Sequence, residues 1–218
     1  MMKKLILIAL SLIFILSGTV SAQNTETDPL YRDLISEITA ILEGQPSGNL
    51  KAEEDYSVVI SWLTGQPASV NLGYALKDVD GNGVQELLVG ENIPNNNGTV
   101  LYDMYTIREG KLLHVFDGWD RNRYYLCSNG NFMNEGSSGA MQSSFAYYIY
   151  AKGDMIFIRS VIYDATMEPE GPWFVSYDVP NITADPDAAF EEISEEEAKV
   201  LSGGYRYELL ELTPFINK

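Results

Sequence analysis

The spacing of apolar positions changes once along the chain, from a helical period to a period of two, and the change divides the sequence. Ahead of the first periodic segment lies an apolar run, Leu5 to Leu16, interrupted only by Ser11. From residue 30 the pattern is helical: Leu30, Leu34, Ile38 and Ile41 recur three or four apart, with Tyr31, Ile35 and Leu42 beside them. Such spacing places the side chains on one helix face. Asp28-Pro29 suits an N-cap followed by proline at the first helical position, and Gly44 ends the run. A second helix is predicted over Ala52 to Leu63, with Tyr56, Val59, Ile60 and Leu63 on one face. From Leu72 the period is two. Strands are predicted around Leu72 to Leu76, at Glu86 to Val89, Thr99 to Ile107, Lys111 to Phe116 and Arg123 to Cys127. Residues 139–151 and 153–163 then form a hairpin about Lys152-Gly153-Asp154, and Trp173 to Tyr177 adds a strand. Short strands separated by Asn/Asp/Gly turns imply an antiparallel meander. Ser194-Glu195-Glu196-Glu197 is a capping box, with Ile193 as a staple, for a short helix stopping at Gly203-Gly204. Tyr207 to Leu212 reads as a final strand. The expected class is α+β: N-terminal helices packed on an antiparallel β-meander, a short C-terminal helix and a closing strand.

The first apolar run is about a dozen residues long, short of the roughly 20 that span a bilayer. With Lys3 and Lys4 before it and Val20-Ser21-Ala22 after it, residues 1–22 read as a secretory signal peptide cut before Gln23. No Cys lies near the cut, so no lipid attachment is expected. The remaining residues, 23–218, form one domain, secreted or periplasmic, with no membrane span once the leader is removed.

Between two of the predicted strands lies Asp78-Val79-Asp80-Gly81-Asn82-Gly83-Val84-Gln85-Glu86. Oxygen-bearing side chains alternate here around two glycines. Calcium takes six to eight oxygens at roughly 2.3–2.6 Å. Counted from Asp78, side-chain oxygens fall at positions 3 (Asp80), 5 (Asn82) and 9 (Glu86), and the Val84 carbonyl occupies position 7. Gly81 and Gly83 allow the loop to curl. An EF-hand would require a bidentate Glu at position 12; that position is Val89, and the flanks read as strands. The expected site is a strand-loop-strand Ca²⁺ site formed by Asp78, Asp80, Asn82, Val84 and Glu86. A metal-free Asp/Asn/Gly turn is the alternative.

Asp-x-Asp-Gly-Asn-Gly-x-x-Glu-Leu resembles the calcium loop of FG-GAP and VCBS-type repeats, and more loosely that of dockerins. Those repeats build β-propellers in tandem. One copy is present here, so the resemblance implies the ion and not the propeller. A longer similarity, from Tyr74 through Gly90 to Thr213-Pro214-Phe215, is to uncharacterised secreted or lipid-anchored bacterial proteins and carries no activity with it.

Composition narrows the partners. The chain has 14 basic and 31 acidic residues; loss of the leader removes two lysines and no acid, leaving a balance of −19. That surface repels nucleic acid and anionic membranes. Cys127 is the sole cysteine, so no internal disulfide is possible, and its strand-like setting favours burial. His114 is the sole histidine. A serine triad would have to join it to Ser137 or Ser138, which do not form a nucleophile elbow, and zinc catalysis lacks ligands. Two carboxylates in a cleft would suffice for a glycoside or peptidoglycan hydrolase, and Asp117, Asp120, Glu135, Asp164, Glu168 and Glu170 are expected on loops near Trp119 and Trp173. The preferred expectation is a non-catalytic extracellular module that binds a protein or glycan, with this hydrolase as the alternative.

Overall fold

Asp28 and Pro29 begin the first helix as their chemistry requires. Asp28 Oδ1 accepts the Leu30 N–H at 2.9 Å, and α1 runs Pro29–Leu42 with Tyr31, Leu34, Ile38, Ile41 and Leu42 buried. The computed structural model describes residues 27–168, 170–181 and 189–217; the expected leader lies outside them. The second helix is shorter than its pattern suggested, since α2 is only Val58–Leu63. The charged stretch before it closes into a turn, with the Lys51 N–H on Asp55 Oδ2 at 2.9 Å and Glu53 at positive φ. Ser57, the residue before α2, is then pinned by Asp103, which accepts both its N–H and its hydroxyl at 2.6 Å. A tertiary contact therefore sets where α2 begins. A 3₁₀ turn, Pro67–Asn71, leads into the sheet.

Among the described residues eleven strands form one antiparallel sheet: β1 Gly73–Lys77, β2 Glu86–Glu91, β3 Val100–Arg108, β4 Lys111–Asp117, β5 Asn122–Leu126, β6 Phe132–Gly139, β7 Gln142–Ala151, β8 Asp154–Asp164, β9 Trp173–Ser176, β10 Glu191–Glu192 and β11 Thr213–Pro214. The spatial order is β10-β9-β8-β7-β6-β5-β3-β2-β1-β11, with β4 paired to β3 beside β5. The protein is thus mainly β, and the α+β expectation is corrected. Among the described residues its three α-helices have 14, 6 and 8 residues and do not form a layer over a meander. α1 and α2 instead share one core cluster with Leu87, Val89, Val100, Tyr102, Tyr105 and Tyr125 of β2, β3 and β5, against which Tyr74 and Leu76 of β1 and Leu112 of β4 also pack. Two strand assignments also change. β6 occupies a stretch whose Gly136-Ser137-Ser138-Gly139 end reads as a turn in the sequence. The segment 207–212 makes only an isolated bridge, Tyr207 to Cys127, and the closing strand is Thr213–Pro214 beside β1. The capping box forms, with the Glu197 N–H on Ser194 Oγ at 3.2 Å and the Ser194 N–H on Glu197 Oε2 at 2.9 Å, ahead of α3, Glu195–Ser202.

Register shifts interrupt four ladders, at Val89/Gly90, Met104/Tyr105, Ser137/Gly139 and Tyr147/Tyr148. Such bulges bend a strand and increase local twist. At the first of them a Cβ on Gly90 would stand 2.1 Å from the Val100 carbonyl oxygen, so only glycine permits the close approach of β2 and β3. The curled sheet encloses a second core of Val79, Leu88, Leu101, Met104, Phe116, Leu126, Phe132, Tyr150 and Leu210. It also carries the β7–β8 turn back to the start of the sheet: the Lys152 N–H donates to Asp80 at 2.6 Å, and Arg108 pairs with Asp154 at 3.1 Å.

Candidate metal centre

The β1–β2 loop is folded by its own side chains. Asp78 accepts the N–H groups of Asn82 (Oδ1, 3.1 Å) and Gly83 (Oδ2, 2.9 Å). Asp80 Oδ1 accepts the Asn82 N–H at 3.2 Å, and Asn82 Oδ1 accepts that of Val84 at 2.7 Å. Gly81 and Gly83 take φ values of 73° and 89°, a region open to glycine at no steric cost. Side-chain acceptors on successive backbone donors make a compact turn of this kind.

Onto this turn the sheet adds a buried acid. Glu86, the first residue of β2, has no solvent exposure. Its Oε2 accepts the Val79 N–H at 2.9 Å, and its Oε1 accepts the hydroxyls of Thr106 (3.0 Å) and Tyr150 (2.9 Å). Among the described residues no ion pair reaches it. Burial pushes its carboxyl above the ordinary carboxylate range, against the pull of the Val79 N–H and the two hydroxyls, and the charge of Asp80 pushes the same way as burial. An ionised carboxylate removed from water without a counter-charge is strongly disfavoured.

One oxygen each from Asp78, Asp80 and Glu86 lie within 4.8 Å of one another. Oxygens around one hard cation at roughly 2.3–2.6 Å are separated by at most about 5 Å, so this acidic triad could hold a metal ion. A divalent cation there would neutralise Glu86 and relieve the repulsion among the three acids. Asn82 belongs to the same turn, with its amide oxygen on the Val84 N–H. The sequence pattern located these residues but not their supports. Thr106, Tyr150 and Lys152 come from β3, from β7 and from the turn after it, and no local signal marks them.

The other candidate residues disperse. His114 Nε2 lies 2.9 Å from Asp103 Oδ1, and its ring stacks on Tyr105 at 4.6 Å. Burial opposes its charged form, but the hydrogen bond and charge of Asp103 outweigh this, with the Glu54 carbonyl and Asp117 adding to them, so the imidazole pKa is raised. The Ser57 and Tyr105 hydroxyls donate to Asp103 and not to the imidazole, so the cluster is not a triad. Ser137 bonds to the carbonyls of Gly139 and Gln142 at 3.1 Å, and Ser138 to Gln142 Oε1 at 2.6 Å; neither reaches His114. Cys127 is buried, and burial pushes its thiol up to about 11, far from a reactive thiolate. Of the six acids expected on loops, Asp117 closes β4, Glu135 lies within β6 accepting from the Tyr207 hydroxyl at 3.1 Å, and Asp164 closes β8. Asp164 lines a cleft with Trp119, whereas Glu170 lines another groove with Trp173. Trp62 and Trp119 are exposed. Among the described residues no helix is long and apolar enough to cross a membrane.

Comparison with known proteins finds no match: no family model, no curated protein and no solved structure matches the chain.

Proposed function

We propose that this is a secreted calcium-binding protein whose ion is structural, and that it acts outside the cell by binding rather than by catalysis. The observation that carries the proposal is the fully buried Glu86 facing two further carboxylates within 4.8 Å. Its charge needs a cation, and no side chain supplies one among the described residues. Asp78, Asp80 and Glu86 provide the acidic ligands, and the Asn82 amide oxygen and the Val84 carbonyl complete the protein's share. Calcium suits this set better than magnesium, which demands near-ideal octahedral geometry and keeps several waters. The ion's structural role follows from the supports. Asp80 is tied to Lys152 and Glu86 to Thr106 and Tyr150, so an ion in the loop also fastens β3 and the β7–β8 hairpin. The leader read at residues 1–22 supports export, to a compartment where calcium is abundant enough to fill a weak site. The strongly acidic surface supports a partner other than nucleic acid or an anionic membrane.

The test is thermal unfolding of residues 23–218 in EDTA and in millimolar calcium. Calcium is expected to raise the midpoint by several degrees in the parent protein and not in Asp80→Ala. Because Asp80 also accepts from Lys152, the readout is the calcium-dependent shift and not the absolute midpoint. A parent protein that melts at one temperature in both conditions refutes the proposal.

A further inference from the structure

Away from the loop, strands β5 to β8 carry a cleft of about 530 Å³, open on its solvent side. This is within the roughly 300–1,000 Å³ typical of ligand sites. Its floor is built by strand register. Asn122 pairs with Gly136, Gly136 with Ser144, and Ser144 with Ile162, so one row across four strands places a glycine and a serine between larger neighbours. A Cβ on Gly136 would come within 2.6 Å of Ser144 Oγ; the missing side chain is what gives the floor its depth. The next row pairs Gln142 with Asp164, joined by an amide-to-carboxylate hydrogen bond of 2.7 Å.

Two features mark this depression as a site and not a gap in packing. Ser144 is 8% exposed, yet its hydroxyl has no hydrogen-bond partner among the described residues, although it lines the cleft. No buried side-chain N or O lacks a partner among the described residues, so this hydroxyl reaches the solvent in the cleft, where a ligand's hydroxyl can take the place of water. At the rim stands Trp119, 39% exposed. Its indole is presented by a tight turn in which the Trp119 and Asn122 backbones exchange hydrogen bonds of 2.9 and 2.8 Å. No ring packs against that indole among the described residues.

The lining chemistry selects the ligand class. Ser144 offers a donor and an acceptor, as a sugar hydroxyl does. Asn134 keeps its Oδ1 as an acceptor while its amide hydrogens go to Asn122 Oδ1 and the Arg123 carbonyl. Gln142, which donates to Asp164 and accepts from Ser138, keeps its second amide hydrogen. The exposed indole offers a flat apolar face of the kind that covers sugar C–H groups. Arg121 and Asp164 supply one charge of each sign, and the protein's net charge of −17 disfavours polyanions. We propose that this cleft binds a neutral saccharide, with Trp119 stacked on one ring and Ser144, Asn134 and Gln142 hydrogen-bonded to its hydroxyls. This gives the binding role proposed above its ligand class. The cleft binds and does not hydrolyse. Asp164 is the single carboxylate among the described lining residues, whereas glycoside hydrolysis requires two. Burial disfavours its charge, but hydrogen bonds from the Thr166 hydroxyl, Gln142 and the Thr166 and Met167 N–H groups hold it below the ordinary carboxylate range, so it stays ionised and is no proton donor.

The experiment is affinity electrophoresis of residues 23–218, in calcium, through native gels containing hydroxyethylcellulose, arabinoxylan, galactomannan or amylopectin, with polygalacturonate as the anionic probe. At least one neutral polymer should retard the protein, and Trp119→Ala should weaken this by about tenfold or more, equivalent to about 1.4 kcal/mol. Trp62→Ala, at an exposed indole on α2, should bind as the parent does. Ser144→Ala should bind more weakly while melting no lower, since it removes a hydroxyl without a protein partner. No retardation by any neutral polymer, retardation indifferent to Trp119→Ala, or retardation by polygalacturonate alone overturns the proposal. A chain stabilised by calcium that binds no polymer loses the cleft and keeps the metal loop; a chain retarded through Trp119 without a calcium shift does the reverse.

Discussion

Replacing Glu86 by glutamine separates the two things its carboxylate does. Both oxygens of Glu86 accept hydrogen bonds, Oε2 from the Val79 N–H and Oε1 from the hydroxyls of Thr106 and Tyr150. A glutamine can keep its carbonyl on the Val79 N–H and turn its NH₂ to the hydroxyls, which can rotate to accept. Shape and hydrogen bonding then survive, and the negative charge does not. In EDTA the parent protein must hold an ionised carboxylate away from water or bind a proton there, so Glu86→Gln is expected to melt at or above the parent near neutral pH. In calcium the order reverses. A ligand at a hundred times its dissociation constant stabilises by about 2.7 kcal/mol. For a domain of this size each kcal/mol moves the midpoint by about 2–4 °C, so the parent should gain about 5–11 °C. The variant has lost one of three charged ligands and should gain little. Differential scanning calorimetry of both proteins in both conditions reads the crossing directly. If Glu86→Gln melts below the parent by the same margin with and without calcium, the carboxylate serves only its hydrogen bonds, and the argument from its buried charge is wrong.

Two other substitutions test the frame around the site. The raised pKa of His114 means that its pairing with Asp103 adds stability below the ordinary histidine value of about 6.5 and that this stability is lost as pH climbs through the folded-state value. The melting difference between the parent and His114→Gln should therefore be largest in mild acid and shrink toward alkaline pH; a difference that grows with pH would contradict the assignment. Gly90→Ala places a methyl group 2.1 Å from a backbone oxygen, which β2 and β3 can relieve only by moving apart. Its urea midpoint should fall by the equivalent of about 1–3 kcal/mol or more, and an unchanged midpoint would mean that β2 and β3 leave room for a methyl group at Gly90.

What the sequence determined by itself is what neighbouring residues decide. Asp28-Pro29 starts α1, Ser194 and Glu197 close their capping box, Lys152-Gly153 turns the β7–β8 hairpin, and Asp78 to Glu86 makes a loop of oxygen ligands. In each case a side chain satisfies backbone groups at most a few residues away, or a glycine takes a φ that few other residues accept, so local chemistry is sufficient. Where the outcome depends on a distant partner, the pattern fails. The periodicity of Ala52 to Leu63 suggests a full helix, but Asp103 captures Ser57 and leaves six residues of it. Gly136-Ser137-Ser138 carries no apolar alternation and has weak strand preference, yet it forms β6 because β5 and β7 flank it and supply its hydrogen bonds. The count of predicted helices overstated their share of the fold, since periodicity gives an element's face but not how much of the sheet it covers. The same limit applies to the two sites. Sequence placed Asp78, Asp80 and Glu86 near one another, but only the curl of the sheet brings Tyr150, 64 residues from Glu86, and Lys152, 72 residues from Asp80, onto them. The cleft below Trp119 is entirely a product of register: Gly136 faces Ser144 through a pairing that a one-residue slip would abolish, and no property of either residue alone announces it.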